Sequence, residues 1–347
     1  MKKVTIIGHF AFGLEYLDGQ TVKTKIIANE LCHRYGNDQI EKIDTHGGIK
    51  ILLKAPFQIF HALKNSKNVI ILPAHNGLRV NAPLLSFMRN LFKDRRIHYV
   101  VIGGWLPEFL KNRKYLTKSL KSFDGIYVET KTMKKALNEQ GFTNIYITPN
   151  CKDLNILKES QLIYHNSEPY KLCTFSRVMK EKGIEDAVNA VKLVNEHFGR
   201  TVYALDIYGQ VDSEQMEWFE RLKSKLPDYV KYRGVVPFDK SVEVLKNYFA
   251  LLFPTYYEGE GFAGTLIDAL AAGVPVIASD WRYNGEIVIH EVTGKIYKTK
   301  SEDSLIKALI WVYQNQSVWN NMKSDCIKLA YQYLPERAID TLCSRIV

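Results

Sequence analysis

The sequence has few cysteines and no long apolar run. Its 347 residues include five cysteines, none in a C-x-x-C pair or a metal-ligand cluster: Cys32, Cys151, Cys173, Cys326 and Cys343. This pattern predicts free thiols in a reducing compartment and no metal site. No window approaches the ~20 apolar residues of a membrane-spanning helix, and the apolar run after Lys2 and Lys3 has no cleavage site for secretion. We therefore expect a cytoplasmic protein.

Signatures of dinucleotide enzymes and of nucleic-acid binding are also missing. An apolar strand over residues 4–8 leads through a loop with Gly13 into a helix predicted over 21–35, the order that begins a Rossmann-like domain. The loop lacks the G-x-G-x-x-G fingerprint, which argues against a nicotinamide enzyme, and Gly13 is kept as a candidate ligand-binding residue. Since no RNP or zinc-finger pattern occurs, no nucleic-acid partner is expected.

Charge is abundant but unevenly distributed. The formal net charge is +10; residues 1–160 contain 25 Lys and Arg against 13 Asp and Glu, whereas the remaining residues contain 22 against 24. A basic half of this kind attracts anionic lipid, a phosphorylated substrate or nucleic acid. A merely solvated basic face is the alternative.

Strands and helices alternate through the first half of the chain. Strands are predicted over residues 40–44, 68–73, 97–103, 125–129 and 145–148, and helices around 83–92, 107–122 and 130–140. This alternation predicts a mostly parallel, doubly wound sheet whose post-strand loops share one edge. Polar or aromatic residues at that edge are His9, Asp18, Gln20, Lys23, His75, Asn76 and Trp105. His75 is the candidate catalytic residue among them, and a loop histidine bonded to neighbouring backbone is the alternative interpretation.

A polar stretch over residues 149–168 lacks periodicity and is interpreted as a linker. Because 347 residues exceed what one core supports, we predict domains at 1–160 and 161–330 and a terminal segment at 331–347. The second domain has predicted strands over 170–175, 201–208, 230–233, 250–253 and 274–278, and helices over 184–197, 265–272, 303–313 and 318–333. Gly209 and Val236 follow two of these strands, where the backbone can approach a flat ring of a ligand, and both are candidate binding residues.

Residues 256–280 read YYEGEGFAGTLIDALAAGVPVIASD and are the most informative stretch. The pattern predicts a glycine-rich turn, a helix and a buried strand. Free N–H groups and the helix dipole favour an anion at the helix start, which Ala263, Gly264 and Thr265 form. Glu260 precedes Asp268 by eight residues, about 2.2 turns, so that both lie on the same side and can bind one ligand.

This stretch resembles the E-x7-E signature of retaining glycosyltransferases of the GT-B fold, in particular glycosyltransferase family 4, with Asp268 in place of the second Glu. Residues 176–183, SRVMKEKG, resemble the GR-x4-KG element of the same family. The resemblance implies that Arg177 and Lys182 hold the diphosphate of a sugar nucleotide, that Glu260 binds donor-sugar hydroxyls and that Asp268 binds the ribose. We expect Glu260 and Lys182 at an exposed edge of the cleft.

The resemblance further implies an α/β protein with two Rossmann-like doubly wound domains that face each other across a cleft. The second domain holds the donor, the first holds the acceptor, and the terminal segment packs back on the first. A hexose would move from a nucleoside diphosphate sugar, with UDP favoured, to a glycan, with retention. No D-x-D triplet occurs, in agreement with metal-independent chemistry in which Arg177, Lys182 and the helix start at Gly264 stabilise the leaving diphosphate. No cofactor is expected beside this co-substrate.

The implied acceptor is a lipid-linked glycan of bacterial surface polysaccharide synthesis, at the inner face of the cell membrane. An anionic membrane surface would attract a basic group of residues, Arg89, Lys93, Arg95, Arg96, Lys111, Arg113 and Lys114. Apolar residues beside them are predicted to be core: Leu84, Leu85, Phe87, Met88, Leu91 and Phe92. Two alternatives stay open, a sugar-nucleotide 2-epimerase of the same fold and a catalytically silent subunit that binds sugar nucleotide or stabilises a partner transferase.

Overall fold

The computed structural model describes residues 1–14 and 18–346, and only the backbone of residues 49, 50 and 52. The chain divides into two compact units, Met1–Asp153 together with Tyr333–Val347, and Leu154–Gln332. The first unit holds 26 Lys and Arg against 14 Asp and Glu, and the second holds 21 against 23. The excess positive charge therefore belongs to the first unit.

A parallel sheet forms the centre of the first unit. Its strands are β1 (Lys2–Gly8), β2 (Ile40–Asp44), β3 (Ser66–Ile71), β4 (Arg96–Val100), β5 (Gly125–Val128) and β6 (Ile145–Ile147). They lie in the order β2-β1-β3-β4-β5-β6. Runs such as VTII and VIIL are buried at successive positions and are almost entirely apolar, as burial on both faces of a parallel sheet requires. The predicted strands and their parallel pairing are confirmed.

Helices connect these strands and cover the sheet. They are α1 (Gly19–Tyr35), α2 (Ile49–Asn65), α3 (His75–Met88), α4 (Leu106–Leu110), α5 (Lys114–Lys121), α6 (Lys131–Glu139) and, near the end of the chain, Pro335–Ala338 and Asp340–Cys343. Asp18 caps α1, since its carboxylate accepts the N–H groups of Gln20 and Thr21. The sequence analysis missed α2. It also began the third helix too late, because Pro83 lies inside α3 without ending it.

The end of the chain belongs to the core of the first unit. Ile339 and Leu342 are fully buried and pack in one cluster with Ile27 of α1. Arg34 of α1 forms an ion pair with Asp340 at 2.8 Å. Apolar packing and this ion pair together hold the last residues against α1.

A second parallel sheet forms the centre of the second unit. Its strands are β7 (Tyr170–Phe175), β8 (Tyr203–Tyr208), β9 (Val230–Gly234), β10 (Ala250–Phe253), β11 (Val276–Ser279) and β12 (Gly294–Tyr297), in the order β12-β11-β10-β7-β8-β9. Its helices are α7 (Ile184–Phe198), α8 (Met216–Lys223), α9 (Ser241–Leu245), α10 (Gly264–Ala271), α11 (Asn284–Ile287), α12 (Glu302–Gln314) and α13 (Gln316–Ala330). The sequence analysis missed β12, whose four residues GKIY include a glycine and a lysine and therefore form no apolar run. Among the described residues no helix has both the length and the apolar character that crossing a bilayer needs.

The division between the units falls earlier than residue 160. Leu157 and Leu162 pack with Ile327 of α13, and the N–H of Leu157 donates to the carbonyl of Ala271 at 3.0 Å. Gly273 leaves room for this packing, since a Cβ there would lie 2.2 Å from Cδ2 of Leu162. Part of the predicted linker thus contributes packed side chains to the second unit.

Each sheet contains a point at which the order of the strands reverses. In the first sheet this point lies between β1 and β3, and in the second it lies between β7 and β10. The connections leave such neighbouring strands in opposite directions, which opens a crevice at their carboxyl ends, where ligands of open α/β sheets bind. The loops after β1, β3, β7 and β10 are therefore the places at which a site is expected.

His98 of β4 provides a test of the packing of the first unit. Its ring is fully buried, and burial lowers its pKa to about 4, whereas an unfolded chain protonates the ring near pH 6.5. At pH values between these two pKa values, the unfolded state binds more protons than the folded state. We therefore expect the free energy of unfolding to fall as the pH drops from about 6.5 to about 4, by about 2 kcal/mol between pH 7 and pH 5.

Denaturant titrations at these two pH values measure the effect, with His98→Asn as the control that removes the titrating ring. The decrease in unfolding free energy should be smaller in His98→Asn by about 2 kcal/mol. Equal decreases in both proteins would contradict the assignment.

Candidate functional site

Two loops meet at the point of strand reversal in the second sheet. The loop after β7 holds Arg177 and Lys182, and the loop after β10 holds Glu260. Gly183 lies where the loops touch: its φ is +71°, and a Cβ there would lie 2.3 Å from the carbonyl oxygen of Pro254. Only a glycine allows this backbone and this approach. The contact brings together residues that are 78 positions apart in the sequence.

Lys182 and Glu260 form an ion pair at the centre of the site. Nζ of Lys182 donates to Oε2 of Glu260 at 2.6 Å, and the hydroxyl of Thr255 donates to the same oxygen at 2.9 Å. The side chains of the ion pair are only 10% and 9% exposed. Thr255 is itself buried, and its carbonyl accepts the hydroxyl of Ser279 at 2.6 Å. The Glu260 carboxylate is therefore held from two sides in one orientation.

This burial corrects our expectation that Lys182 and Glu260 lie at an exposed edge. Both follow the ends of strands, but their side chains turn inward and neutralise each other. Removal of one member of a buried pair leaves an unpaired charge and costs about 3–5 kcal/mol. The pair therefore supports the two loops in addition to any role toward a ligand.

Tyr257 connects the buried pair to a more exposed cation. Its ring centroid lies 5.1 Å from Nζ of Lys182 and 5.8 Å from Cζ of Arg177, distances at which a cation is attracted to an aromatic ring. The carbonyl of Tyr257 accepts the indole N–H of Trp281 at 2.8 Å. Arg177 is half exposed and its contact with Asp212 is 3.4 Å long. Its guanidinium is thus able to exchange Asp212 for an incoming anion.

The start of α10 supplies backbone donors beside Glu260. Ala263 is the N-cap residue; within the described part of the chain no side chain caps this helix end, and its first turn contains no acidic residue. The N–H groups at Gly264 and Thr265 therefore lie at the positive end of the helix dipole. Asp268 lies inside α10 and is 4% exposed. The helix start fits an anion, whereas Asp268 is mostly enclosed by protein.

Four other predicted site residues belong to other loops or to the first unit, and of these Gly209 touches the loop after β7. Gly209 follows β8 with a φ of +135°, and a Cβ there would lie 1.8 Å from the carbonyl oxygen of Ser176, so that packing alone already requires a glycine. Val236 follows β9, one of the two edge strands of the sheet. Gly13 and His75 belong to the first unit, where Gly13 has a φ of +78° in the loop after β1.

A pocket of about 330 Å³ lies at the point of strand reversal in the first sheet. Its polar lining comes from the loops after β1 and β2 and from α1, α2 and α3: His9, Gln20, Thr45, Gln58, His75, Asn76 and Asn81. Several amide and imidazole groups thus converge on one cavity, an arrangement typical of sites that bind polar small molecules.

A chain of hydrogen bonds orients His9 at this pocket. The hydroxyl of Thr21 donates to Asp18 at 2.6 Å and lies 2.7 Å from Nδ1 of His9. Since the hydroxyl proton is already used, Nδ1 of His9 carries a proton and donates it to Thr21. Nε2 of His9 lies 3.1 Å from Nδ1 of His46. Asp18 and Thr21 therefore orient the His9 ring through its Nδ1 atom.

His75 is the first residue of α3 rather than a loop histidine. Its ring stacks on Trp105 with centroids 3.9 Å apart and meets the edge of Phe109 at 4.9 Å. Burial, together with the positive charges of Arg79 and Arg113, lowers the pKa of His75. The ring is therefore neutral near pH 7 and can both donate and accept a hydrogen bond.

Sequence reasoning missed Thr255, Tyr257 and Trp281. Tyr257 directly precedes the E-G-E-G turn, Thr255 lies two residues before Tyr257, and Trp281 follows the strand β11 and Asp280. The sequence signal that could have identified these three residues is their position after the ends of strands. Their roles depend on contacts between loops that are distant in the sequence, which no local pattern reveals.

The model of the family described as glycosyl transferases group 1 matches residues 157–333, slightly more than half of the chain. A crystal structure of Anabaena Alr3699/HepE in complex with UDP is similar with a TM-score of 0.74 at 13% identity, over 99% of this chain and 100% of that one. This likeness shows that the two units form the GT-B fold.

Curated relatives are similar over part of their length. One is the GtfA subunit of the UDP-N-acetylglucosamine–peptide N-acetylglucosaminyltransferase of Streptococcus agalactiae, 26% identical over 224 residues that cover 63% of this chain and 43% of that protein. Another is the N,N'-diacetylbacillosaminyl-diphospho-undecaprenol alpha-1,3-N-acetylgalactosaminyltransferase of Campylobacter jejuni, 23% identical over 261 residues that cover 75% of this chain and 57% of that protein. The chain thus spans about half the length of the curated relatives that it matches. Because the family match includes both loops of the Lys182–Glu260 pair, the chain belongs to the glycosyl transferases of group 1.

Proposed function

We propose that this protein transfers a hexose from a nucleoside diphosphate sugar, with UDP as the favoured nucleotide, to a glycan acceptor, with retention at the anomeric carbon. The observation that carries the proposal is the buried Lys182–Glu260 pair beside the start of α10. A fixed carboxylate next to cations and a helix N-terminus fits a ligand with sugar hydroxyls at one end and a diphosphate at the other. The UDP-sugar named in the Streptococcus relative supports this class of donor.

In this proposal Glu260 orients the donor sugar. Within the described residues both hydrogen bonds to its carboxylate reach Oε2, so that Oε1 accepts hydroxyls of the sugar. The charge of Lys182 is already matched by Glu260, and Lys182 therefore contributes directed N–H donors more than net charge. Asp268 binds the ribose, and Gly209 and Val236 lie toward the base.

Negative charge accumulates on the diphosphate as its bond to the anomeric carbon breaks. We assign its stabilisation to the N–H groups of Gly264 and Thr265, behind Ala263, and to Arg177, which turns from Asp212 toward the phosphates. Donors that are already in place require little reorganisation during the reaction. No divalent ion is needed in this arrangement.

The pocket of the first unit is the proposed acceptor site. His9, His75 and Asn76 offer hydrogen bonds to glycan hydroxyls, and Gly13 lies in the loop after β1. The positive charge of the first unit favours an acceptor with a lipid-linked diphosphate at an anionic membrane surface. The diphospho-undecaprenol in the name of the Campylobacter relative supports this acceptor class. We therefore propose a peripheral enzyme of surface polysaccharide synthesis at the inner face of the membrane.

The first test is release of UDP from a panel of UDP-sugars by the purified chain, with and without glycan acceptors. We expect slow UDP release without an acceptor and faster release with the correct one. Glu260→Gln keeps the shape of the side chain and should lower the rate at least ~100-fold. A chain that releases no nucleotide from any donor would be a silent subunit, and a product sugar that stays on its nucleotide with altered stereochemistry would indicate an epimerase.

The second prediction separates the structural role of the ion pair from its chemical role. Lys182→Met leaves the buried charge of Glu260 without a counter-ion and should lower the unfolding free energy by about 3–5 kcal/mol. Lys182→Met with Glu260→Gln should recover most of this loss but no activity. Denaturant unfolding of both variants measures the effect, with Lys307→Met as the matched control, because the Lys307–Asp303 pair is 74% exposed on both sides. If Lys182→Met costs no more than Lys307→Met, the pair does not support the loops.

The third prediction concerns metal. If Arg177 and the start of α10 neutralise the diphosphate, UDP release should continue at an unchanged rate in excess EDTA. Strict dependence on added Mg²⁺ or Mn²⁺ would show that the leaving group is stabilised in another way.

A further inference from the structure

The helix α2 has apolar side chains on two opposite sides. Ile51 and Ala55 line the pocket of the first unit. Leu53, Phe57 and Phe60 are 75%, 80% and 46% exposed. Positions 51, 55 and 58 form the side of α2 that lines the pocket. Each of the three exposed residues lies two positions from one of these, which corresponds to about 200° around the helix axis. We call Leu53, Phe57 and Phe60 the α2 stripe.

The neighbouring helix enlarges this apolar surface. α3 packs against α2, and the rings of Phe60 and Phe92 meet with centroids 5.6 Å apart. Phe87 and Leu91 are both 70% exposed, so that our prediction of these two residues as core is wrong. Large exposed apolar side chains that cluster in this way mark a surface for a partner or a membrane.

The positive charge around the α2 stripe favours an anionic partner. Lys54 and Lys64 of α2 and Lys93 beyond α3 are exposed, in the unit that holds the positive charge of the protein. Glu41 is paired with His61 at 2.7 Å. An apolar stripe with basic flanks is typical of helices that lie in the interface of a bilayer. A second copy of this chain fits less well, because two basic faces repel each other.

We propose that α2 docks on an anionic lipid surface, with Leu53 and Phe57 inserted at the level of the headgroups and Lys54 and Lys64 beside lipid phosphates. The opposite side of the same helix lines the pocket, which thereby lies one helix diameter from the lipid, about 10 Å. An acceptor headgroup then reaches the pocket without leaving the membrane surface. This last step rests on the proposed function, whereas the docking rests only on the α2 stripe and its charges.

Co-sedimentation with vesicles tests the docking. The probes are vesicles of phosphatidylcholine mixed with phosphatidylglycerol, and vesicles of phosphatidylcholine alone. The wild-type chain should bind only the anionic vesicles, and Leu53→Ser with Phe57→Ser should bind them at least about tenfold more weakly, because most of the inserted apolar area is lost. Tyr115→Ser is the matched control: it removes a 71% exposed aromatic side chain from α5 of the same unit and should bind like the wild type.

A second measurement follows insertion directly. Tryptophan emission of Phe57→Trp should shift to shorter wavelength with anionic vesicles, while that of Tyr115→Trp should not, each after subtraction of the wild-type signal. Equal vesicle binding by the wild type and the Leu53→Ser, Phe57→Ser variant would overturn the proposal. It would also be overturned if Tyr115→Ser weakened vesicle binding as much as the double variant does. A wild-type dimer that this double variant abolishes, without vesicle binding, would assign the stripe to self-association instead.

Measurements of UDP release distinguish a failure of the docking proposal from a failure of the proposed function. Neither Leu53 nor Phe57 lines the pocket, so that UDP release in vesicle-free buffer should be the same in the double variant and the wild type. Failure of UDP release in the wild type would count against the transferase while leaving the docking result intact.

Discussion

The contact between Lys182 and Glu260 is the constraint on which the candidate site of the second unit depends. A buried carboxylate and a buried ammonium are stable only as a pair. The loop after β7 and the loop after β10 must therefore keep their positions relative to each other. Thr255 binds the same carboxylate, and Gly183 permits the close approach of the two backbones. The resulting platform holds Arg177 and the start of α10 at one edge of the sheet.

The two units differ in the way they present charge. In the second unit the charged residues of the site are paired, buried or beside a helix end, and the unit as a whole is nearly neutral. In the first unit the charges are largely at the surface, and the polar lining of the pocket consists mainly of imidazole and amide groups. Paired charges keep a few side chains in fixed orientations, whereas a diffuse basic field attracts anions over a wide area.

The helix α2 connects the pocket of the first unit to its surface. Because its residues face the cavity at positions 51, 55 and 58 and face solvent at 53, 57 and 60, one element serves both environments. The sequence analysis missed this helix, which contains Pro56, and a proline ordinarily ends or kinks a helical pattern.

Much of the fold could be read from the sequence, because parallel strands that are buried on both faces are nearly continuous runs such as VTII and VIIL. The glycine-rich turn, the helix start at Gly264 and the cations Arg177 and Lys182 were likewise visible as local patterns. Local patterns do not encode distances between residues 78 positions apart. Only the strand order, with β7 beside β10, determined that Lys182 meets Glu260 and that both are buried, and only the packing of α2 against α3 determined which of its apolar side chains remain exposed.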